Sequence, residues 1–132
     1  MNLTWFRSIA VWLLIILAES IHGTLRQLYL APLMGDFRAR RISVFTAMVL
    51  IFIVTLLTIR WLRVRDTGTL VRIGAIWVAL TILFEVGLGR TLGYQWNRIF
   101  EDYDLSKGGL MSLGLLAMLF TPLIAARVRG VR

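Results

Sequence analysis

Four apolar stretches, each about as long as a bilayer crossing, constrain this chain more than anything else in it. They run over roughly Thr4–Leu30, Ser43–Trp61, Leu70–Gly93 and Gly109–Val128. A spanning helix needs about 20 apolar-dominated residues to cross a hydrocarbon core about 30 Å thick. No water reaches free backbone groups there, so only helices or a closed barrel can span it. Long unbroken apolar runs, without two-residue alternation, select helices. Hydrophobic residues make up 58% of the 132, against about 45–50% in an ordinary soluble domain. Mean hydropathy is +0.78. The expected fold is an all-α integral membrane protein, a single four-helix transmembrane domain over residues 1–132.

Arg7 followed by an apolar run, with Ala18-Glu19-Ser20 beyond it, also resembles a secretory leader. The chain begins at Met1, and the segment is expected to be retained as the first span. Pro32 is expected to end that helix, with Gly35-Asp36 as a turn before the basic cluster Arg38, Arg40 and Arg41. The connection from Trp61 to Leu70 is short and basic. Between the third and fourth spans, Trp96, Ile99, Phe100 and Tyr103 recur at helical spacing, with Asn97, Arg98, Glu101 and Asp102 opposite. That pattern predicts a short interfacial amphipathic helix with its aromatics at headgroup level.

The formal charge of +8 would suggest nucleic acid in a soluble protein. Here the arginines flank apolar segments, where they snorkel to headgroups and fix topology, so no nucleic-acid partner is expected. The termini and middle loop carry Arg7, Arg60, Arg63, Arg65, Arg72, Arg127, Arg129 and Arg132. The other side carries Arg26, Arg38, Arg40, Arg41, Arg90, Arg98 and Lys107. If Arg26 and Arg90 belong to a buried site, eight against seven becomes eight against five. Both termini are then expected in the cytoplasm, in a bacterial-type inner membrane. There is no cysteine, which excludes disulfides, thiolate metal sites and thiol catalysis.

Sliding the chain by 66 residues (85 − 19) sets Glu19 on Glu85, Gly23 on Gly89, Asp36 on Asp102, Thr55 on Thr121 and Arg63 on Arg129. Identity is 10 of 66 positions, half of it Leu or Ile, yet rare polar positions and the span boundaries share the offset. The pattern suggests an internal repeat, 1–66 and 67–132. Each half would be a helical hairpin, the two related by a pseudo-twofold axis along the membrane normal.

Glu19 closes the apolar run Ile9–Ala18, and Glu85 closes Ile73–Phe84. Ten and twelve residues of helix put them about 15 and 18 Å into the core. An ionisable group at that depth costs about 2.5 kcal/mol or more, so it marks a candidate site. Glu19, His22 and Arg26 stand at i, i+3 and i+7 on one helical face. Glu85 with Gly89 repeats part of it, and Arg90 follows one residue on.

Three readings fit this constellation. A proton or ion relay would use the desolvated carboxylates and a histidine that titrates near neutrality. A structural staple would pair Glu19 and Glu85 with Arg26, Arg90 or His22. Glu19-Ser-Ile-His22 also has the Glu-x-x-His spacing of carboxylate-bridged di-iron bundles. It occurs once, beside an arginine that opposes a cation, so neither metal nor cofactor is expected.

Ile16-Leu17-Ala18-Glu19, then Ile21 and Thr24-Leu25, resembles the first helix of the small multidrug resistance transporters, and Ala75-Ile76-Trp77 faintly echoes their third. Those are four-span proteins of similar size with a proton- and drug-binding glutamate in helix one. The resemblance implies such a role for Glu19. The chain departs from that pattern in Glu85, in Arg26 and in its long structured loops.

Smaller features complete the expectation. Gly108, Gly109, Ser112 and Gly114 make a small-residue face on helix four, suited to packing in the bundle or in an oligomer. Trp12 and Trp77 should fill the core, and Pro122 should kink helix four with Thr121 satisfying a freed carbonyl. There is no Walker loop, Ser-His-Asp set or dinucleotide fingerprint, so no enzyme is expected. The leading expectation is a homo-oligomeric, proton- or ion-coupled transporter or permeation protein using Glu19, His22, Arg26, Glu85 and Arg90. The rival is a non-catalytic accessory subunit or assembly factor of a larger membrane complex.

Overall fold

A computed structural model of the protein describes residues 3–104, 106 and 109–130. Lys107, Gly108 and Arg132 lie outside the described residues. The described residues form helices and no strand, and four helical segments are long and apolar enough to cross a membrane. They are Leu3–Met34, Asp36–Leu62, Thr67–Thr91 and Met111–Val128.

The first of these is compound. Helix α1 (Leu3–Leu25) runs into a single wide π-helical turn, Arg26–Leu30, and then into α2 (Ala31–Met34). Pro32 does not end the helix as the sequence suggested. Proline has no N–H for the Leu28 carbonyl, and its ring crowds that group. The wide turn accommodates both, with the Ala31 N–H reaching back to the Arg26 carbonyl. Gly35 makes the reversal instead, at φ +90°, a conformation open to glycine. The basic cluster Arg38, Arg40, Arg41 is therefore not loop but the start of α3 (Asp36–Leu62).

Arg63 stops α3 in the left-handed conformation. Asp66 then caps α4 (Thr67–Thr91), accepting from the Thr69 N–H and hydroxyl at 2.9 Å each. These bonds hold its carboxyl below the usual range, as expected where hydrogen bonds favour the charged form. After α4 come the short α5 (Trp96–Glu101) and the last span, α6 (Met111–Val128).

The four spans close into a ring in the order α1, α3, α6, α4. Helix α6 lies between α3 and α4, and it comes close because Gly74 has no side chain. A Cβ there would stand 2.0 Å from the Leu119 carbonyl oxygen. Gly114 faces a Val44 methyl of α3, so this small residue of helix four serves packing inside the bundle, while Gly109 lies before α6 against the Glu101 and Asp102 backbone. A pseudo-twofold along the normal would set α1 across from α4 and α3 across from α6. Each pair instead lies side by side.

Leu62, Leu70, Ile73, Trp77 and Ala125 are wholly buried in the core. Trp77 and Trp12 fill the seam between α1 and α4. The Trp77 Nε1–H donates to the Ser8 carbonyl at 3.0 Å, and the Trp12 Nε1–H to the Thr81 hydroxyl at 3.1 Å. Helix α6 runs through Pro122. The Thr121 hydroxyl donates to the Ala117 carbonyl at 2.7 Å, not to that of Met118, the carbonyl which Pro122 leaves without a helical donor.

Candidate functional site

The two tryptophan bonds set the register of α1 against α4. Both join residues 69 apart, so the helices run parallel and Glu85 stands level with Ile16. Glu19 then lies three residues further along, about 4.5 Å or one turn. Glu85 and Arg26 are both within electrostatic reach of Glu19, and Arg26 is within reach of Glu85. The structure thus brings Glu19, His22, Arg26 and Glu85 to one end of the bundle.

The contacts among them are specific. The Thr46 hydroxyl on α3 donates to the Ser43 carbonyl at 3.0 Å, which uses its only hydrogen. His22 Nε2 is 2.7 Å from the same oxygen, and with that hydrogen given to Ser43 it is the donor of the pair in the Nε2–H tautomer. The Nδ1 of a neutral His22 then carries a lone pair, and it faces Glu19 Oε2 at 3.9 Å. Two acceptors confront each other there, and a proton on either would make the contact attractive. The second Glu19 oxygen, Oε1, is buried without a hydrogen-bond partner.

Arg26 does not staple the glutamates. Its guanidinium folds back over Gly23, where a Cβ would be 3.7 Å from Nη2, and its buried Nε has no partner. Among the described residues neither Glu19 nor Glu85 forms an ion pair with an arginine. Arg90 is not part of this group. It is exposed, donates to the Tyr94 carbonyl at 3.1 Å and sits 4.7 Å over the Trp96 ring. Among the described residues no three His, Asp or Glu side chains converge as a metal site.

A second polar cluster lies above the first and was not foreseen. Arg40, nearly buried, donates through Nε to Asp36 at 3.0 Å, through Nη2 to Glu101 at 3.1 Å and through Nη1 to Asp102. Arg98 donates to the same Asp36 oxygen at 3.0 Å and stacks 3.8 Å from the Tyr94 ring centre. This network ties the start of α3 to α5 and caps the Glu19–Glu85 end of the bundle. Burial raises the Asp102 carboxyl, and the Arg40 and Arg98 charges only partly offset that.

Of the polar residues opposite the aromatics, Arg98, Glu101 and Asp102 build this cap, and the aromatic face divides. Ile99 is buried against Gly89, and Tyr103 packs on the core. Trp96 and Phe100 stay exposed, stacked at 5.5 Å. The Tyr103 hydroxyl is buried without a partner, and burial with the nearby Glu85 and Asp102 carboxylates pushes it up to about 12. The available sequence signal was two Asp/Arg pairs at i,i+4, Asp36–Arg40 and Arg98–Asp102, a spacing that favours salt bridges on a helix.

Two hollows of about 260 and 350 Å³ open on the outer surface of α1, around Ile21 and around Leu17 with Leu57. Neither is lined by Glu19, His22 or Glu85. No protein-family profile, curated protein or solved structure matches this chain.

Proposed function

We propose that this is a small transporter or permeation protein in which Glu19 and Glu85 take up a proton or ion, with His22 and Arg26 setting their charge balance. The observation that carries the reading is the approach of Glu19 to the Nδ1 of His22. With Nε2 committed to Thr46, a proton or small cation is what the pair lacks. Intramembrane carboxylates mark ion pathways as a default reading, and among the described residues no arginine pairs with these two. Arg90 belongs to the headgroup side of this picture, as an anchor over Trp96.

The four spans leave no chamber lined by the glutamates among the hollows described, so a homo-oligomer would complete the path. Exposed, stacked Trp96 and Phe100 support placing α5 in the interface. Withdrawing Arg26 and Arg40 into the protein reduces the far-side cations from seven to five (7 − 2), against eight. That supports termini in the cytoplasm of a bacterial-type inner membrane.

The test is flux into proteoliposomes. Glu19→Gln and Glu85→Gln should leave a folded protein whose pH-dependent flux is abolished, and unchanged flux in both variants would refute the reading.

A second reading, an accessory subunit or assembly factor, is favoured by one feature. The compound first span has 32 residues, about 48 Å against a core of about 30 Å, so its far end projects. That end exposes Leu28, Tyr29 and, at 82%, Leu33. Stoichiometric co-purification of a larger membrane protein, lost on Tyr29→Ser with Leu33→Ser, would decide for it.

A further inference from the structure

A proton on Glu85 has to pass the ionic cap to reach water on this side of the membrane. Glu85 lies six residues before the end of α4, about 9 Å of helix. Asp102 lies within electrostatic reach of it, and both carboxylates act on the Tyr103 phenol. Asp102 is 30% exposed, with one oxygen on Arg40 and, among the described residues, no hydrogen bond to the other.

The Tyr103 hydroxyl, within electrostatic reach of both, is fully buried and has no hydrogen-bond partner. Leaving such a group unpaired is costly, and phenylalanine would fill the same space without that cost. The residue is nonetheless fixed: its N–H donates to the Phe100 carbonyl at 3.0 Å, and its own carbonyl accepts from the Ser112 hydroxyl at 2.8 Å. The ring is held in place with its polar end idle.

We infer that Tyr103 is the relay that passes protons between Glu85 and Asp102, which makes the proton the coupled ion. This rests on the transport reading above. The step is a concerted exchange. The Glu85 carboxylic proton moves to the phenol oxygen as the phenol's own proton moves to the Asp102 carboxylate, directly or through one water. The O–H then rotates back. One proton enters, one leaves, and the phenol stays neutral throughout. A phenolate intermediate is excluded near neutral pH, since burial among carboxylates holds Tyr103 at about 12. Arg26 faces Glu85 from the wide turn after α1, while Arg40 from α3 and Arg98 from α5 face Asp102, with Glu101 beside it. These cations keep the receiving carboxylate available. One neutral hydroxyl can hand on a proton, but it cannot replace the hydration shell of an alkali cation.

The test uses the full-length protein in liposomes holding a pH-sensitive dye, driven by a potassium diffusion potential. Tyr103→Phe should slow initial proton uptake about tenfold or more, with the melting temperature unchanged or higher, since the unpaired hydroxyl is gone. Undiminished uptake in Tyr103→Phe, where Glu85→Gln abolishes it, overturns the relay and leaves the transport reading standing. Undiminished uptake in Tyr103→Phe, Glu19→Gln and Glu85→Gln alike, or none in the wild type, overturns both. If Tyr103→Phe loses uptake and also melts lower, Tyr103→His decides. Recovery of uptake through an imidazole that can relay supports the inference, and its absence overturns it.

Discussion

Arg40→Met should destabilise the protein by about 3 kcal/mol. The substitution keeps the length and apolar stem of the side chain and removes three charge-assisted hydrogen bonds, to Asp36, Glu101 and Asp102. Such bonds are each worth about 1.5–3 kcal/mol when well formed. The carboxylates are 30–38% exposed, so water recovers part of what each loses, and the screened values fall to about 1 kcal/mol apiece. Arg98 still holds Asp36, which lowers the sum. The three carboxylates left facing one arginine raise it again. For a chain of this size 3 kcal/mol corresponds to about 10 °C in melting temperature. The five tryptophans provide the readout, intrinsic fluorescence during heating in mild detergent, whereas thiol-reactive dyes have no cysteine to report on. Arg38→Met, at an exposed neighbouring position, is the control and should move the midpoint by less than about 2 °C. Arg40→Lys should recover less than half the loss, because a single ammonium cannot serve three carboxylates at guanidinium spacing. An Arg40→Met protein that melts with the wild type would show the cap to be surface decoration, and the argument that it encloses the glutamates would fall.

Gly74→Ala should cost about 2–3 kcal/mol or more, read in the same melting assay, because its methyl would meet the Leu119 carbonyl at 2.0 Å. Gly114→Ala should cost less, since the Val44 methyl it meets at 3.1 Å can turn aside. Stability should also carry a pH signature from Asp102. Its folded-state value is raised, so the native protein binds more protons across that window, and the stability from this group is lost as pH rises through the folded value. Against Asp102→Asn, the wild type should therefore lose relative stability on going from acid toward neutral pH, and a gap that widens the other way would contradict the assignment.

What the sequence made legible was short in range. Spans follow from runs of one kind of residue, and the face shared by Glu19, His22 and Arg26 follows from steps of about 100° per residue. The same arithmetic places Arg90 off that face: five residues from Glu85 are about 500°, leaving it about 140° away. Arg90 accordingly turns out to Trp96 while Gly89 turns in to Ile99. The cap was illegible for a different reason. Arg40 and Asp102 are 62 residues apart, joined by no periodicity, and their pairing depends on α3 continuing through what reads as a loop. The sequence also hid the wide turn at Arg26–Leu30, which absorbs Pro32 and leaves the break to Gly35. A proline-glycine pair looks like punctuation in sequence, and here only the glycine punctuates.

Formal charges tie the two clusters together. The inner group sets Glu19 and Glu85 against Arg26, with His22 neutral, for −2 + 1 = −1. The cap sets Asp36, Glu101 and Asp102 against Arg40 and Arg98, for −3 + 2 = −1. Each is formally one proton short of neutrality, the inner one at a depth where an uncompensated charge is expensive. Fixed counter-ions for every carboxylate would leave a proton nowhere to bind, and a cluster with none would not keep its carboxylates charged long enough to exchange. One unmatched charge in each of two adjoining clusters, with a neutral hydroxyl between them, is the smallest arrangement in which neutralising one cluster can be exchanged for neutralising the other. On the transport reading, that exchange is what the buried glutamates are for.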